Sequence, residues 1–463
     1  MLLNSHWWTR PCGGRDVLRQ AVPLIISSGS ISLMNFTDRM FLMWISADSM
    51  TASMQAGMVF WSAVAIPLAT AAFITTFVAQ YHGSGHHHRI GRSVWQGIWF
   101  GLLLMPVFLL SFEPICMLFV LFGHDAGLVA LERTYFFYVL LGCGAVICGE
   151  AAAAFFRGQG KMKIEMYNNL FCVALNIVLD YCMIFGKYGF PEWGLAGAAI
   201  ATTLSQWIRF LIYLVLMLIE DRRHQFRFQI LYGMVLDLPL MGRICYFGIP
   251  TGIFVFADTL AFTAFMLLIG GLGSAERSAT TIAFTLNSFT FMPMNGIGIA
   301  VTSMVGNQLG KNLPALARRA TMTAVIIACG YTGFFGVAFI AVPDWFLLVF
   351  GVYADKDEFA AVHQLTIILM RFMAAYLFFD SCSVIFCSAL RGAGDTAFIA
   401  WAVGFLAPLY VIACWIGIWC GLGIFWCWSM ITAIVLAYCF SFWLRYRSRI
   451  WESMRVIEKE FLS

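Results

Sequence analysis

The chain of 463 residues is 61% hydrophobic and only 11% charged, and its formal net charge is +4 at neutral pH. A soluble domain carries about 25% charged residues, so this composition excludes a water-soluble fold and indicates a protein embedded in a lipid bilayer. The positive excess comes from Lys and Arg in loops and gives no argument for a nucleic-acid partner. The 14 cysteines are scattered through apolar segments and predict no metal site.

Apolar stretches of spanning length alternate with short loops rich in Gly, Pro and charged residues. There are twelve of them, at roughly 17–44, 52–79, 93–120, 129–156, 163–186, 194–219, 243–271, 279–306, 317–350, 360–390, 396–420 and 422–444. The longest connector follows the sixth stretch. We therefore expect an all-α polytopic membrane protein of two six-helix lobes, organised as an N-terminus at 1–16, an N-lobe at 17–220, a linker at 221–242, a C-lobe at 243–445 and a tail at 446–463.

The distribution of positive charge predicts the orientation of the helices. Most of the 28 Lys and Arg fall in one set of loops, which includes both termini and the linker. The opposite set holds only Arg133, Lys187, Arg277 and Lys356. Because cytoplasmic loops are enriched in Lys and Arg, both termini are expected in the cytoplasm.

Short motifs recur in the two halves and indicate an internal duplication. Val22-Pro23-Leu24 reappears as Ile249-Pro250-Thr251, and Val78-Ala79-Gln80 reappears at the same offset as Val305-Gly306-Asn307. Arg157-Gly158-Gln159-Gly160 reappears, at a slightly longer offset, as Arg391-Gly392-Ala393-Gly394. Six helices per repeat keep both copies in one orientation, so the lobes are expected to be related by a pseudo-twofold axis along the membrane normal. Prolines inside predicted helices are candidate bending points: Pro23, Pro67, Pro250 and Pro293.

Four aspartates lie inside long apolar runs: Asp38, Asp180, Asp258 and Asp380. A carboxylate at mid-bilayer costs about 2.5–3.5 kcal/mol even on lenient insertion scales, so these residues are expected to bind ions, protons or cationic cargo. The alternative is that some cap helices or pair with the intramembrane arginines, which are Arg39, Arg209 and Arg371.

Neutral oxygen donors accompany the aspartates at helical spacing. Tyr376 precedes Asp380 by four residues, and Asn176 precedes Asp180 by four, so each pair shares a helix face. A carboxylate with a neutral oxygen suits Na⁺, whereas the same carboxylate, desolvated, can carry a proton. We predict a coupling-cation site in the C-lobe and a second cation or proton site in the N-lobe. The predicted members are Asp258, Tyr376 and Asp380 for the first, and Asp38, Asn176, Asp180 and Thr202 for the second, with Asn35 and Asn287 as secondary polar candidates.

Taken together, the motifs make the chain resemble a multidrug and toxic compound extrusion (MATE) transporter of the NorM-like bacterial branch. The resemblance covers nearly all of residues 15–445 and rests on the order of several phrases. They are Met34-Asn35-Phe36-Thr37-Asp38, Phe156-Arg157-Gly158-Gln159-Gly160, Asn176-Ile177-Val178-Leu179-Asp180-Tyr181, Val305-Gly306-Asn307-Gln308 and Leu390-Arg391-Gly392-Ala393-Gly394. It implies exchange of Na⁺ or H⁺ for organic cations. It also implies that Asp38, Asp258 and Asp380 are the important acids, with Asp258 standing where many relatives carry Glu.

This resemblance implies a multi-pass protein of the bacterial cytoplasmic (inner) membrane. The partners expected are hydrophobic organic cations and the bilayer, the oligomeric state expected is a monomer, and no cofactor is expected beyond the coupling ion. One alternative is a flippase for lipid-linked precursors, which would need several cavity arginines. The other is a polytopic membrane enzyme, although HExxH and GxSxG motifs are absent from the sequence. The histidine tract His86-His87-His88 is interpreted as part of a solvated loop.

Overall fold

The computed structural model describes residues 6–121, 124–351 and 356–458, and the regular elements in that part of the chain are helices. In chain order the α-helices are α1 (His6–Thr9), α2 (Gly14–Ile45), α3 (Ala47–Ala72), α4 (Ile74–Gly83), α5 (His88–Leu110), α6 (Phe112–Leu121), α7 (Ala126–Leu140), α8 (Cys143–Gly158), α9 (Met162–Phe185), α10 (Gly194–Arg223), α11 (Leu238–Gly270), α12 (Ser274–Gly310), α13 (Pro314–Ala341), α14 (Pro343–Gly351), α15 (Lys356–Ala393), α16 (Thr396–Trp419) and α17 (Gly423–Arg447). Two single turns of 3₁₀-helix follow α10 and α17, at Tyr232–Met234 and Ile450–Ser453.

The helices confirm the predicted all-α polytopic class. Among the described residues, 11 helical segments are long and apolar enough to cross a membrane, and there are 12 when the bent pair α7 and α8 counts as one span. All backbone groups of a helix are bonded within the segment, which is what a hydrocarbon environment requires. The twelve predicted segments therefore correspond to these spans.

Four of the predicted segments are not continuous helices. The segment 52–79 divides at Phe73 into α3 and α4, and the segment 129–156 divides at 141–142 into α7 and α8. The segment 93–120 divides at Ser111 into α5 and the shorter α6, and the segment 317–350 divides at Val342 into α13 and α14. In the last two cases a proline lies in the first turn of the second helix, at Pro114 and Pro343. Proline is accepted in a first turn, where no helical N–H bond is lost, and this explains why a new helix begins there.

The chain forms two compact units that are not simply its two halves. The N-unit holds residues 26–252 and the described residues from 456 onward, and the C-unit holds the described residues up to 25 together with 253–455. The chain changes unit inside α2 and again inside α11, in each case just after an intrahelical proline, Pro23 or Pro250. These two prolines are a matched pair of the predicted repeat, so the two crossing points are equivalent positions of that repeat.

Close helix contacts in each unit join two of the repeated motifs. A Cβ on Gly158 would lie 2.5 Å from Val78 Cγ1 and 2.8 Å from the backbone N of Ala79. A Cβ on Gly392 would lie 2.6 Å from the carbonyl oxygen of Thr302 and 3.1 Å from Val305 Cβ. Glycine is needed at both positions because the neighbouring backbone leaves no room for a side chain. The recurrence of these motifs thus reflects the same packing contact in both units.

The connector between α10 and α11 is bound tightly to the N-unit. The buried carboxylate of Asp221 accepts hydrogen bonds from the backbone N–H groups of Phe228 and Ile230, at 2.8 and 2.9 Å. From α5, Trp95 Nε1 donates to the Ile230 carbonyl at 2.8 Å and Trp99 Nε1 to the Met234 carbonyl at 2.7 Å. This connector is therefore an ordered part of the N-unit, held at both ends.

The segment after α17 also ends on the N-unit. Val456 and Ile457 are buried in the hydrophobic core that contains Phe77 and Phe155. The Val456 N–H donates to the fully buried side chain of Gln80 at 2.9 Å, and its carbonyl accepts from Arg243. These contacts make residues 456 and 457 part of the N-unit core.

The next residue, Glu458, continues this attachment. Its carboxylate accepts from Tyr81 Oη at 2.6 Å and pairs with Arg243 at 2.7 Å. Tyr81 is itself completely buried, and a buried hydroxyl requires a hydrogen-bond partner. The segment 456–458 thus supplies an acceptor to a polar group inside the N-unit.

The histidine tract between α4 and α5 departs from the prediction of a solvated loop. His87 is buried, and its ring packs edge-on against His82 at 5.0 Å and Phe228 at 5.8 Å. Burial, together with the nearby positive charge of Arg227, lowers the pKa of His87 to about 4. The prediction was wrong for His87, because Phe228 from the connector packs against its ring, whereas His88 is exposed.

We expect the stability of the protein to fall as the pH is lowered towards 4. The pKa of His87 in the folded protein lies below that of an exposed histidine, which is about 6.5. The unfolded chain therefore takes up the proton more readily, so the contribution to stability is complete above about pH 6.5 and is lost as the pH falls through this window. Melting temperatures in detergent should show this loss, and His87→Gln should reduce it. His86→Gln is the matched control, and an equal effect of both variants would contradict the assignment.

Candidate functional site

Three predicted residues of the N-lobe site lie together where α2 and α9 come into contact. Asp180 and Asn176 are completely buried on α9, and Asp38 is half-buried on α2. With its amide nitrogen turned towards the carboxylates, Asn176 donates to Asp180 Oδ2 at 3.2 Å and to Asp38 Oδ1 at 3.2 Å. The two carboxyl groups are also in hydrogen-bond contact with each other. The structure therefore brings Asp38, Asn176 and Asp180 into one cluster, which we call the N-site.

The register of the two helices explains why these residues meet. Asn169 Nδ2, further back on α9, donates to Ser27 Oγ on α2 at 2.6 Å. Asp38 lies eleven residues after Ser27, and Asp180 lies eleven residues after Asn169. Eleven residues are about three helical turns, so two helices that run in the same direction meet again at this interval. The N-site is thus the second polar contact along one helix pair.

The surroundings of the N-site include Tyr135, which the sequence did not single out, and Arg39, which the sequence offered as an alternative ion-pair partner. Tyr135 on α7 is half-buried and lies within electrostatic range of both Asp38 and Asp180. Arg39 acts electrostatically on Asp38 from the next position on α2. Neither residue forms an ion pair or a hydrogen bond with the aspartates among the contacts described for this unit. Tyr135 could not be found by helical spacing because it comes from a third helix.

Among the described residues, no hydrogen bond joins the other predicted polar candidates to the two clusters of aspartates. Thr202 is half-buried on α10, and within the described residues no hydrogen bond joins it to either N-site aspartate. Asn35 is exposed on α2. Asn287 on α12 is half-buried, and its side-chain oxygen accepts from Thr290 Oγ1 at 3.2 Å. Asn287 therefore has a hydrogen-bond partner within its own helix.

The C-lobe residues form a second cluster, which we call the C-site. Asp258 on α11 and Asp380 on α15 interact electrostatically, and so do Asp380 and Tyr376. Tyr376 is buried, and its hydroxyl has no hydrogen-bond partner among the described residues. Asp258 is exposed and Asp380 is half-buried. A buried hydroxyl that lacks a hydrogen-bond partner in the described residues, on the same helix as a carboxyl group, is a group whose hydrogen bonding a bound cation or a water molecule would complete.

Three further residues belong to the electrostatic surroundings of Asp258. Arg391 lies on α15, eleven residues after Asp380, and its guanidinium stands 4.8 Å above the ring of Phe254. Arg391 acts on Asp258 electrostatically, as do the phenol groups of Tyr410 and Tyr438. Arg391 is eleven residues, or about three helical turns, from Asp380 on the same helix, whereas the two tyrosines come from α16 and α17 and left no signal in the sequence.

Acids with a structural role elsewhere in the protein have arginine partners. Arg157 donates to both oxygens of Glu165, at 2.7 and 2.6 Å, and also pairs with Glu150. Arg445 donates to both oxygens of Asp395, at 2.6 and 3.3 Å. By contrast, the ion pairs found among the described residues include none of the four intramembrane aspartates. The alternative that these aspartates are neutralised by Arg39, Arg209 or Arg371 is therefore not what the structure shows.

Comparisons with known proteins agree with this architecture. A family described as MatE matches residues 23–182 and again residues 250–416. The two matches begin at Pro23 and Pro250, which are the matched prolines of the predicted repeat.

Individual relatives extend the similarity over most of the chain. Multidrug resistance protein NorM of Burkholderia vietnamiensis is 28% identical over 404 residues, which cover 84% of this chain and 85% of the relative. Multidrug resistance protein PmpM of Pseudomonas aeruginosa is 28% identical over 404 residues, covering 84% and 82%. Among solved structures, a MOP superfamily transporter from Pyrococcus furiosus has a TM-score of 0.82, at 18% identity, and covers 96% of this chain and 97% of its own. At that identity the structural likeness concerns the fold.

We expect the Asn176 side chain to stabilise the N-site, and the repulsion between the Asp38 and Asp180 carboxylates to destabilise it. At neutral pH without added Na⁺, Asp180→Asn should keep the free energy of unfolding or raise it by on the order of 1 kcal/mol, because two ionised carboxylates in contact repel each other. The melting temperature should accordingly stay the same or rise. Asn176→Leu should lower the melting temperature, because it removes the donor to both carboxylates. Asp48→Asn, at an exposed position in the first turn of α3, is the control. A large loss of stability in Asp180→Asn would show that the charge is structural.

Proposed function

The chain belongs to the MatE family, and we propose that it is a multidrug efflux antiporter that exports organic cations in exchange for Na⁺ or H⁺. The observation that carries the proposal is the presence of two carboxylate clusters inside membrane-spanning helices, with no ion pair from an arginine to either cluster among the described residues. An ionised group in that position is costly unless a cation or a proton joins it. A coupling ion and a cationic cargo would supply the positive charge that these clusters lack.

The C-site is proposed as the coupling-cation site. Asp258 and Asp380 supply two carboxylates, and the Tyr376 hydroxyl supplies a neutral oxygen without a competing hydrogen bond in the described residues. Hard cations such as Na⁺ prefer oxygen donors of this kind, and a cation would relieve the repulsion between the two acids. The N-site, in which Asn176 donates to both carboxylates, has fewer free acceptor positions and is proposed to handle protons or cargo.

The proposed setting is a bacterial cytoplasmic membrane, with both chain termini in the cytoplasm. The excess of Lys and Arg in the loops that include the termini supports this orientation. The proposed working form is a monomer. The flippase alternative receives less support, because Arg39 and Arg391 each lie within range of an aspartate and are therefore poorly placed to bind a pyrophosphate.

Active efflux should depend on the charge of Asp380. In cells that lack their own pumps, the wild-type chain should keep an ethidium-like dye at a low level. Asp380→Asn preserves the shape of the side chain and removes its charge, so efflux should be lost while expression is retained. Tyr376→Phe should weaken efflux less, because water can replace one neutral ligand. Glu276→Gln, in the first turn of α12, is the control. Dye levels unchanged by the wild-type protein would contradict the efflux function itself.

Binding measurements should assign the coupling cation to one cluster. By calorimetry on purified protein, Na⁺ binding should disappear in Asp258→Asn and persist in Asp38→Asn. The opposite result would place the cation in the N-site. If the wild-type protein binds no Na⁺ but releases a proton when cargo binds, the same carboxylates work with H⁺ as the coupling ion.

A further inference from the structure

The connector between α10 and α11 lies with its backbone against α5. The Gly91 N–H donates to the Phe228 carbonyl at 3.2 Å, and a Cβ on Gly233 would lie 2.7 Å from the backbone N of Arg92. The two indole N–H bonds from α5 described above extend these contacts over about three turns of that helix. The connector therefore turns its backbone towards α5, and most of its large side chains point away from the protein.

The side chains that point away are apolar. Six of the eight residues from 231 to 238 are large apolar residues whose exposed fractions lie between 41% and 76%. They are Leu231, Tyr232, Met234, Val235, Leu236 and Leu238. A loop that faces water is mostly polar, so a continuous run of exposed apolar side chains marks a surface that contacts another apolar phase.

The charged residue of this stretch, Asp237, is turned towards the protein instead. Its carboxylate lies 3.5 Å from Arg92 Nη1 and 3.9 Å from Arg89 Nη1, and it accepts a hydrogen bond from the Leu240 N–H at 3.1 Å. The Asp237 N–H donates to Gln96 Oε1 at 2.9 Å. A loop in water turns its charges outward and its apolar side chains inward. Residues 231–238 have the reverse arrangement, which indicates surroundings other than water.

Exposed positive charge lies at the start of the connector. Arg222 and Arg223 are in the last turn of α10, Arg227 follows them, and all three are exposed. Asp221, in the same turn of α10, is bonded to the connector backbone as described above, and Glu220 is paired with a lysine. Within the part of the chain that the structure describes, no ion pair includes any of the three arginines. Their charge is therefore available to an anion outside the protein.

The position of residues 231–238 indicates a lipid surface rather than a protein partner. The stretch contacts α5 and leads directly into α11, and both helices are among the segments that can cross a membrane. It therefore lies where two membrane-spanning helices end. At the border of a bilayer, apolar side chains contact acyl chains, and clustered Lys and Arg attract anionic head groups.

We propose that residues 231–238 are an interfacial anchor, which inserts its apolar side chains into the adjoining leaflet and binds anionic phospholipid through Arg222, Arg223 and Arg227. The guanidinium groups bind the phosphate of the lipid, since arginine pairs with phosphate through charge-assisted hydrogen bonds. The ligand is the whole lipid, because a free phosphate ion would leave the apolar side chains in water. The anchor holds the connector, and with it the ends of α10 and α11, at the membrane surface. It does not depend on which cargo or coupling ion the protein uses.

Insertion is tested with a fluorescent amino acid at position 232 of the full-length protein, in nanodiscs of phosphatidylcholine and phosphatidylglycerol. Replacing the exposed Tyr232 leaves the core intact. Lipids brominated in the acyl chain should quench the probe, and aqueous iodide should not. The control carries the probe in place of Lys163, which is exposed in the first turn of α9, where iodide should quench it. Equal iodide quenching at both positions would overturn insertion. So would protection from iodide without quenching by bromine, because a second protein would then cover the stretch.

Lipid preference is measured with the same probe, by comparing brominated phosphatidylglycerol with brominated phosphatidylcholine. Quenching in the wild-type protein should favour phosphatidylglycerol. Arg222→Gln/Arg223→Gln/Arg227→Gln should reduce that preference by about fivefold or more, the factor that one arginine contributes near an anionic surface. The three side chains are exposed, so the fold should be retained.

The matched control for charge is Lys311→Gln/Arg447→Gln/Arg449→Gln, which removes three exposed positive charges from the C-unit. Its lipid preference at the probe should stay within about twofold of the wild-type value. An equal loss in this control, or a wild-type protein without any preference, would overturn the binding of anionic lipid. Inorganic phosphate is the remaining probe. If it abolishes the preference while quenching by bromine persists, the arginines bind free phosphate, and the lipid assignment is wrong.

Discussion

The structure depends on the inability of hydrocarbon to solvate a charge or an unpaired backbone group. The backbone requirement is met by helices throughout the spans. Ionised side chains meet the same requirement in two ways. Glu165 and Asp395 are held by arginines through paired hydrogen bonds and are thereby fixed as structural groups. The aspartates of the N-site and C-site have no such arginine partner in the described residues, so a mobile cation or a proton is proposed to neutralise them. This difference in pairing distinguishes the acids with a structural role from the acids proposed to bind ions, protons or cargo.

Much of the fold followed from apolar length, charge distribution and repeated motifs, because these depend on the chain alone. The breaks at Ser111 and Val342 were missed, since the apolar character continues across them and only Pro114 and Pro343 mark a new helix. The partners Asn176 and Asp180, or Tyr376 and Asp380, could be predicted because helical spacing places them on one face. Tyr135, Tyr410 and Tyr438 could not, because contacts between helices distant in the chain leave no periodic signal. His87 shows the same limit, as its cover comes from Phe228 in a connector far along the sequence.

The repeat explains why the scaffold is symmetric and the chemistry is not. Gly158 and Gly392 serve the same close contact in their units, and their neighbours allow nothing larger. Pro23 and Pro250 likewise stand at equivalent points, where the chain passes from one unit to the other. The aspartates obey no such packing constraint, and the position equivalent to Asp38 is Phe265, which is fully buried. After a duplication, packing positions are held in both copies by sterics, whereas polar positions are free to diverge.

The attachment of residues 456–458 has a consequence for how the protein is made. Val456 and Ile457 belong to the hydrophobic core of the N-unit, and Glu458 supplies an acceptor for the buried Tyr81 hydroxyl. These residues are synthesised after every helix of both units, and therefore long after α10 is complete. During translation the first-made unit must wait in the membrane with Gln80 and Tyr81 lacking these native partners. The part of its core that Val456 and Ile457 fill is completed only after the segment beyond α17 has been synthesised.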